Sequence, residues 1–294
     1  MKGFLQGTGV ALVTPFSSDL SIDYPALTNL IEYNIARNVD YLVVMGTTAE
    51  SATLSKPEKK EVIAHIRKVN SNRVPMVLGI GGNNTEQVLQ EIEETDLADF
   101  SAILSVVPMY NKPTQEGIYQ HYKKIAEYAP LPILLYNVPS RTGTNMEADT
   151  TLRLSSLTNI IGIKEATSDI GQVLAILKDR PEDFLVISGD DMLALSLVAA
   201  GGDGVISVVG QGFPKQFSEL ISNGIEGDLA NSYEQLFQLL PAINYAFEEG
   251  NPAGIKSILA AKDICKPYVR LPLVKASKKL ETTIKEFVNR LPVQ

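Results

Sequence analysis

Short β-branched runs recur along the chain, and each is followed by a stretch in which apolar residues return every three or four positions. The runs predict strands at 10–14, 41–45, 76–80, 102–107, 133–138, 160–165, 185–188 and 205–209. The stretches between them predict helices near 24–38, 57–70, 85–97, 115–128, 147–157, 170–179, 192–200 and 214–223. Eight strand–helix pairs within about 225 residues predict an α/β fold, a TIM (β/α)8 barrel rather than a doubly wound sheet. Residues 226–294 read as helix alone, punctuated by Pro252, Pro267 and Pro272. The chain is therefore expected to divide into a catalytic barrel, residues 1–225, and a C-terminal helical appendix, residues 226–294, packed on it. No Pro/Ser-rich linker marks a further domain.

Composition narrows the function class. The 294 residues are 45% hydrophobic, enough for a large core, and the net charge of −8 comes without a basic cluster interleaved with aromatics. Nucleic acid is not an expected partner. Cys265 is the single cysteine, so an internal disulfide or a thiolate metal cluster is excluded and a buried thiol is expected. The two histidines, His65 and His121, both fall inside predicted helices, which argues against a histidine triad or a histidine metal site. Gly79-Ile80-Gly81-Gly82 and Gly201-Gly202-Asp203-Gly204 complete no nucleotide-binding motif and read as turns. The start of the chain has no apolar signal core, and no window approaches about 18 consecutive apolar residues. A soluble, cytoplasmic protein without membrane partners is expected.

Against that background Lys164 stands out, because it lies inside the apolar run Ile160-Ile161-Gly162-Ile163-Lys164-Glu165. Side chains alternate on a strand, so Gly162, Lys164 and Ala166 share one face, while Ile161 and Ile163 are expected to pack against the covering layer. Small neighbours leave room for an amine and a bound carbonyl compound. Burial favours the neutral amine, and only that form attacks a carbonyl carbon. The alternative is a lysine that snorkels to solvent or pairs with Glu165.

A barrel keeps its active site at the C-terminal ends of its strands, and here the residues at those ends are polar. After the second strand comes Gly46-Thr47-Thr48-Ala49-Glu50-Ser51, whose hydroxyls and backbone N–H groups could hold a carboxylate or simply cap a helix. Tyr110-Asn111 follows the fourth strand, and Tyr136-Asn137-Val138-Pro139-Ser140-Arg141-Thr142-Gly143 spans the end of the fifth. Arg141 offers a planar fork suited to a carboxylate. Asp190-Asp191, after the seventh strand, reads as a capping pair rather than a metal site.

Together, Gly46-Thr47-Thr48-x-Glu50-Ser51, Tyr110-Asn111, Tyr136-Asn137-Val138-Pro139-x-Arg141-Thr142-Gly143 and Gly162-Ile163-Lys164-Glu165 closely resemble the dihydrodipicolinate synthase family. That family lies within the pyruvate-dependent class I aldolases, which include N-acetylneuraminate lyase. The resemblance spans essentially the whole chain. It implies that Lys164 forms a Schiff base with pyruvate and that Tyr136, Thr47 and Tyr110 relay protons, Tyr110 acting in the site of a neighbouring subunit. It implies that Thr47 and Thr48 hold the pyruvate carboxylate, that Arg141 holds the carboxylate of L-aspartate 4-semialdehyde, and that Gly189 and Ile206 line the pocket. The implied product is 4-hydroxy-tetrahydrodipicolinate, made in diaminopimelate and lysine biosynthesis, with no cofactor and no metal. A homo-oligomer is implied, a dimer or a dimer of dimers.

A sugar-acid aldolase like N-acetylneuraminate lyase is the alternative, but those lyases carry an apolar residue where this chain has Arg141. An idle keto-acid-binding barrel is opposed by the joint presence of Lys164, Tyr136, Tyr110, Thr47 and Arg141. Two departures from the family pattern are visible. Ala49 replaces a glycine, which would strain the turn if that position needs a positive φ. Lys56, Lys59, Gln87 and Met109 stand where lysine-inhibited relatives commonly carry histidines, a glutamate and a tyrosine, so insensitivity to lysine is expected.

Overall fold

The computed structural model describes residues 2–291; residues 1 and 292–294, at the outer ends of the two predicted regions, lie outside the described residues. Eight parallel strands, β1 (Gly7–Ala11), β2 (Tyr41–Val44), β3 (Met76–Gly79), β4 (Ala102–Val106), β5 (Ile133–Asn137), β6 (Ile160–Glu165), β7 (Leu185–Ser188) and β8 (Gly204–Ser207), pair in sequence order. β1 pairs with β8 and closes the barrel. Around it run α1 (Tyr24–Ile35), α2 (Lys56–Asn70), α3 (Thr85–Glu94), α4 (Gln115–Tyr128), a short α5 (Pro139–Thr142), α6 (Ala148–Ser155), α7 (Ile170–Asp179), α8 (Ala194–Ala199) and α9 (Pro214–Ile225). The C-terminal region adds α10 (Leu229–Glu248), α11 (Ala253–Ala261) and α12 (Lys278–Arg290).

The strands are mostly apolar because both of their faces are covered, and their polar residues gather toward the C-terminal ends. On β2, Tyr41 and Val43 point into the barrel while Leu42 and Val44 pack under the helices, and β7 repeats this with Leu185 and Ile187 inside and Val186 outside. Helix starts are set by polar caps. Asp23 accepts from the Ala26 N–H at α1, and Ser55 and Glu58 exchange hydrogen bonds in a capping box at α2. The histidines are anchored on the helices, His65 to Thr28 Oγ1 at 2.8 Å and His121 to Thr85 Oγ1 at 2.9 Å, and Cys265 is a buried thiol. No helix among the described residues is long and apolar enough to cross a membrane.

Two local expectations are corrected, and a third, conditional one is resolved. β1 begins and ends three residues earlier than the apolar run suggested, since Gly7 and Gly9 carry no hydrophobic signal. A Cβ on Gly9 would lie 2.1 Å from the ring of Tyr41, so the interior aromatic demands glycine there. The Leu12 N–H still donates to the Val43 carbonyl of β2, and residues 13 and 14 then leave the ladder: the Val13 N–H donates to Gln211 Oε1 and the Thr14 hydroxyl to the Ala49 carbonyl. Second, Ile161 does not share the outer face with Ile163. The β5–β6 register shifts by one between Ile133/Ile160 and Leu134/Gly162, and the extra residue turns Ile161 into the interior layer. Third, Ala49 lies outside the positive-φ region; Met45 (φ 56) and Glu50 (φ 55) carry the left-handed backbone of that turn, so alanine brings no strain.

Candidate active site

β6 delivers Lys164 into the barrel interior at its C-terminal end, opposite Tyr136 of β5. The lysine is only 5% exposed. Its Nζ lies 4.4 Å from the centre of the Tyr136 ring. Burial pulls its pKa down to about 8, the Asp191 carboxylate pulls the other way, and the Arg141 guanidinium adds to the depression. A substantial fraction of neutral amine therefore exists at mildly alkaline pH. Gly189 makes room for this side chain: a Cβ there would come within 2.9 Å of Lys164 Cε and 2.7 Å of Ala166 Cβ. Burial raises the Tyr136 pKa, opposed by Arg141 and by the Thr47 hydroxyl, so the phenol holds its proton at neutral pH.

A cavity of about 570 Å³ joins these groups, lined by Thr47, Thr48, Tyr136, Arg141, Lys164 and Gly189 among others. A larger groove of about 1030 Å³ shares Thr47, Tyr136 and Arg141 with it and runs outward along α2 and α3. Thr48 is buried and Thr47 exposed, both in a one-turn helix that follows β2. Arg141 sits on α5, which the apolar pattern did not reveal. Pro139 starts that helix and Gly143 (φ 69) ends it.

Two expected residues stand apart. Ile206 belongs to the same interior apolar layer as Ala11, Val43 and Leu104 but does not face the cavity. Tyr110 is 87% exposed, outside the cavity of its own chain, on a left-handed backbone (φ 72) fixed by its N–H donating to the Thr142 carbonyl at 3.2 Å.

Sequence reading passed over one residue of the cavity wall and gave another residue only a capping role. Asn251, between α10 and α11, donates from Nδ2 to Thr48 Oγ1 at 2.9 Å, accepts from Arg141 Nη2 through its carbonyl at 3.4 Å, and keeps Oδ1 buried without a partner. The helical appendix thus supplies part of the cavity wall, together with Ile243 and Phe247. Asp191 accepts from the Val208 and Val209 N–H groups, both at 3.1 Å, and from Ser207 Oγ at 2.5 Å, and burial raises its pKa to about 6. Its capping role holds, although the turn it caps follows β8; Asp190 caps the turn before α8 by accepting from Met192 at 2.8 Å.

Known proteins carry the same architecture. Residues 4–291 match the Dihydrodipicolinate synthetase family. A 4-hydroxy-tetrahydrodipicolinate synthase of Flavobacterium psychrophilum is 51% identical over 292 residues, covering 99% of both chains. The crystal structure of a dihydrodipicolinate synthase from Thermotoga maritima superposes with a TM-score of 0.94 at 38% identity, covering 97% of this chain and 98% of that one. The chloride-inhibited dihydrodipicolinate synthase of Acinetobacter baumannii, complexed with pyruvate, superposes equally well, at 0.94 and 37% identity over 97% of this chain and 98% of that one. A closed eight-stranded barrel with a buried lysine at the mouth end of β6, matched along nearly its whole length, makes this chain a member of the dihydrodipicolinate synthetase family.

Proposed function

We propose that this chain condenses pyruvate with L-aspartate 4-semialdehyde to give 4-hydroxy-tetrahydrodipicolinate, a step of diaminopimelate and lysine biosynthesis. The observation that carries the reading is Lys164, buried in the barrel against Tyr136 with its pKa drawn down to about 8. The neutral amine adds to the pyruvate ketone, and Tyr136 passes the protons with which the carbinolamine loses water. The cationic imine draws electrons from C3, which gives up a proton and becomes an enamine. The enamine carbon then bonds to the aldehyde carbon of the second substrate. Finally the substrate's own amine displaces the lysine, closing the ring and freeing Nζ. One water leaves overall, and no oxidant or reductant is required.

In this reading Thr47 and Thr48 hold the pyruvate carboxylate, Arg141 the carboxylate of the semialdehyde, and Gly189 gives the imine its space. Tyr110 serves a neighbouring subunit, and its exposure, with Met109 beside it, suits a side chain that completes another chain's site. A homodimer, or a dimer of dimers, in the cytoplasm is the corresponding working form. The test is a pair of initial-rate assays, one with pyruvate and L-aspartate 4-semialdehyde and one with N-acetylneuraminate, beside borohydride reduction in the presence of pyruvate. Turnover of the first pair and one reduced pyruvate on Lys164 are expected. Turnover of N-acetylneuraminate alone would move the chain to the sugar-acid aldolases.

A further inference from the structure

Glu50 stands in the same turn as Thr47 and Thr48, yet the chemistry above gives it no part. Its side chain and that of Lys256 expose no surface at all, and Glu50 Oε1 accepts from Lys256 Nζ at 2.6 Å. Glu50 Oε2 accepts from the Arg270 N–H at 2.8 Å. Lys256 Nζ donates in addition to the Tyr268 carbonyl at 2.8 Å and lies 4.1 Å from the centre of the Phe16 ring. The polypeptide leading into α11 meets the turn a second time through Asn251 and Thr48 Oγ1. Two separate contacts therefore tie one short turn of the barrel rim to the C-terminal region.

A buried ion pair is a poor source of stability, because desolvation of both charges offsets most of their attraction. Left-handed backbone at a glutamate is unfavourable as well, and persists only where its surroundings hold it. Both costs fall in the turn that presents the two threonine hydroxyls. We propose that the Glu50–Lys256 pair is a positioning device: it fixes the Gly46–Ser51 turn so that Thr47 and Thr48 meet the pyruvate carboxylate, an inference that rests on that reading of the threonines. Through this pair the C-terminal region tunes affinity for the first substrate at one remove from the cavity.

The test is the double variant Glu50→Gln/Lys256→Met, which removes both charges and leaves no uncompensated ion in the core. Thermal unfolding, initial rates in both substrates and borohydride trapping against pyruvate concentration are measured beside Thr48→Val. The expected result is a melting temperature close to the parent's, the same trapped fraction at saturating pyruvate, and a pyruvate KM raised about tenfold, the scale of one weakened hydrogen bond to a charged group. The KM for the semialdehyde should move far less. An unchanged pyruvate KM in the double variant, alongside a raised one in Thr48→Val, overturns the positioning role and leaves the threonine reading standing. An unchanged KM in Thr48→Val overturns the threonine reading and this inference with it. Should the double variant fail to fold, the charge-conserving Glu50→Asp, which keeps the ion pair but shortens its reach, is judged by the same two KM values.

Discussion

Tyr136 and Lys164 are register partners on adjacent parallel strands, and the amine of one lies 4.4 Å from the ring centre of the other. Neighbours on one sheet face are held by the backbone ladder, so their separation does not depend on a loop. In the proposed condensation, where the phenol would hand protons to and from a carbinolamine on Lys164, that rigidity keeps donor and acceptor in reach.

The rate of imine formation should follow the neutral form of Lys164. With the pKa at about 8, trapping by borohydride should rise as pH increases through that value and level off above it. Asp191→Asn removes an anion that favours the ammonium, and should move the midpoint down; Arg141→Ala removes a cation that disfavours it, and should move the midpoint up. A midpoint near the ordinary lysine value of about 10 would show that burial does not tune this amine.

Gly189→Ala should cripple the enzyme while sparing the fold. The added methyl meets Lys164 Cε at 2.9 Å and must push the side chain aside. Misplacement on that scale costs about 100-fold in rate. Wild-type turnover in a correctly folded Gly189→Ala protein would mean that the lysine has slack which the packing does not show.

For Arg141→Ala, pyruvate trapping should persist while kcat/KM for the semialdehyde falls by about 2–5 kcal/mol, the range for truncating one partner of a charged, hydrogen-bonded pair. Equal loss in both reactions would place the guanidinium on pyruvate instead.

Mixing inactive Tyr110→Phe chains with inactive Lys164→Ala chains should restore activity, since one site of each hybrid dimer holds both wild-type residues. Mass spectrometry establishes that subunits have exchanged. Hybrids that remain inactive would confine the relay to a single chain.

L-Lysine should leave initial rates unchanged. Lys56 pairs with Glu94 at 3.0 Å and Lys59 with Glu91 at 3.2 Å, so the carboxylates of the groove along α2 and α3 are already engaged by lysines of this chain. An incoming ammonium has to compete with two lysines already bound to those carboxylates. Half-inhibition at submillimolar lysine would contradict this.

Apolar periodicity was enough to locate the barrel, because a parallel strand covered on both faces must be apolar and a helix on its outside must be amphipathic. It failed where those constraints lapse. Gly7 and Gly9 earn their places by closeness to neighbouring strands, and α5 is built from a proline, a glycine and one exposed arginine. Lys164 was legible as a charge in an apolar run, and Arg141 as a guanidinium after a strand. Asn251 was not: it meets Thr48 across 203 positions of chain, and nothing local distinguishes it from any Asn-Pro turn. Glu50 read as part of a helix cap, whereas its partners, Lys256 and Arg270, lie at the far end of the sequence.

The register shift in β6 has a bearing on how the chain tolerates changes of length. Upstream of Lys164 the strand holds one residue more than its ladder with β5 uses, so the segment 161–163 contains slack. Loss of Ile161 lets the bulge straighten with Gly162 still against Leu185, where no Cβ fits, and keeps Lys164 opposite Tyr136, at the expense of a filled interior layer. Gaining one uses no such reserve, and an uncompensated step would turn Lys164 toward the helices and bring Glu165 to the cavity. Loss of Ile161 is therefore the change of length that this strand should tolerate best, and an insertion before Lys164 the one it should tolerate least.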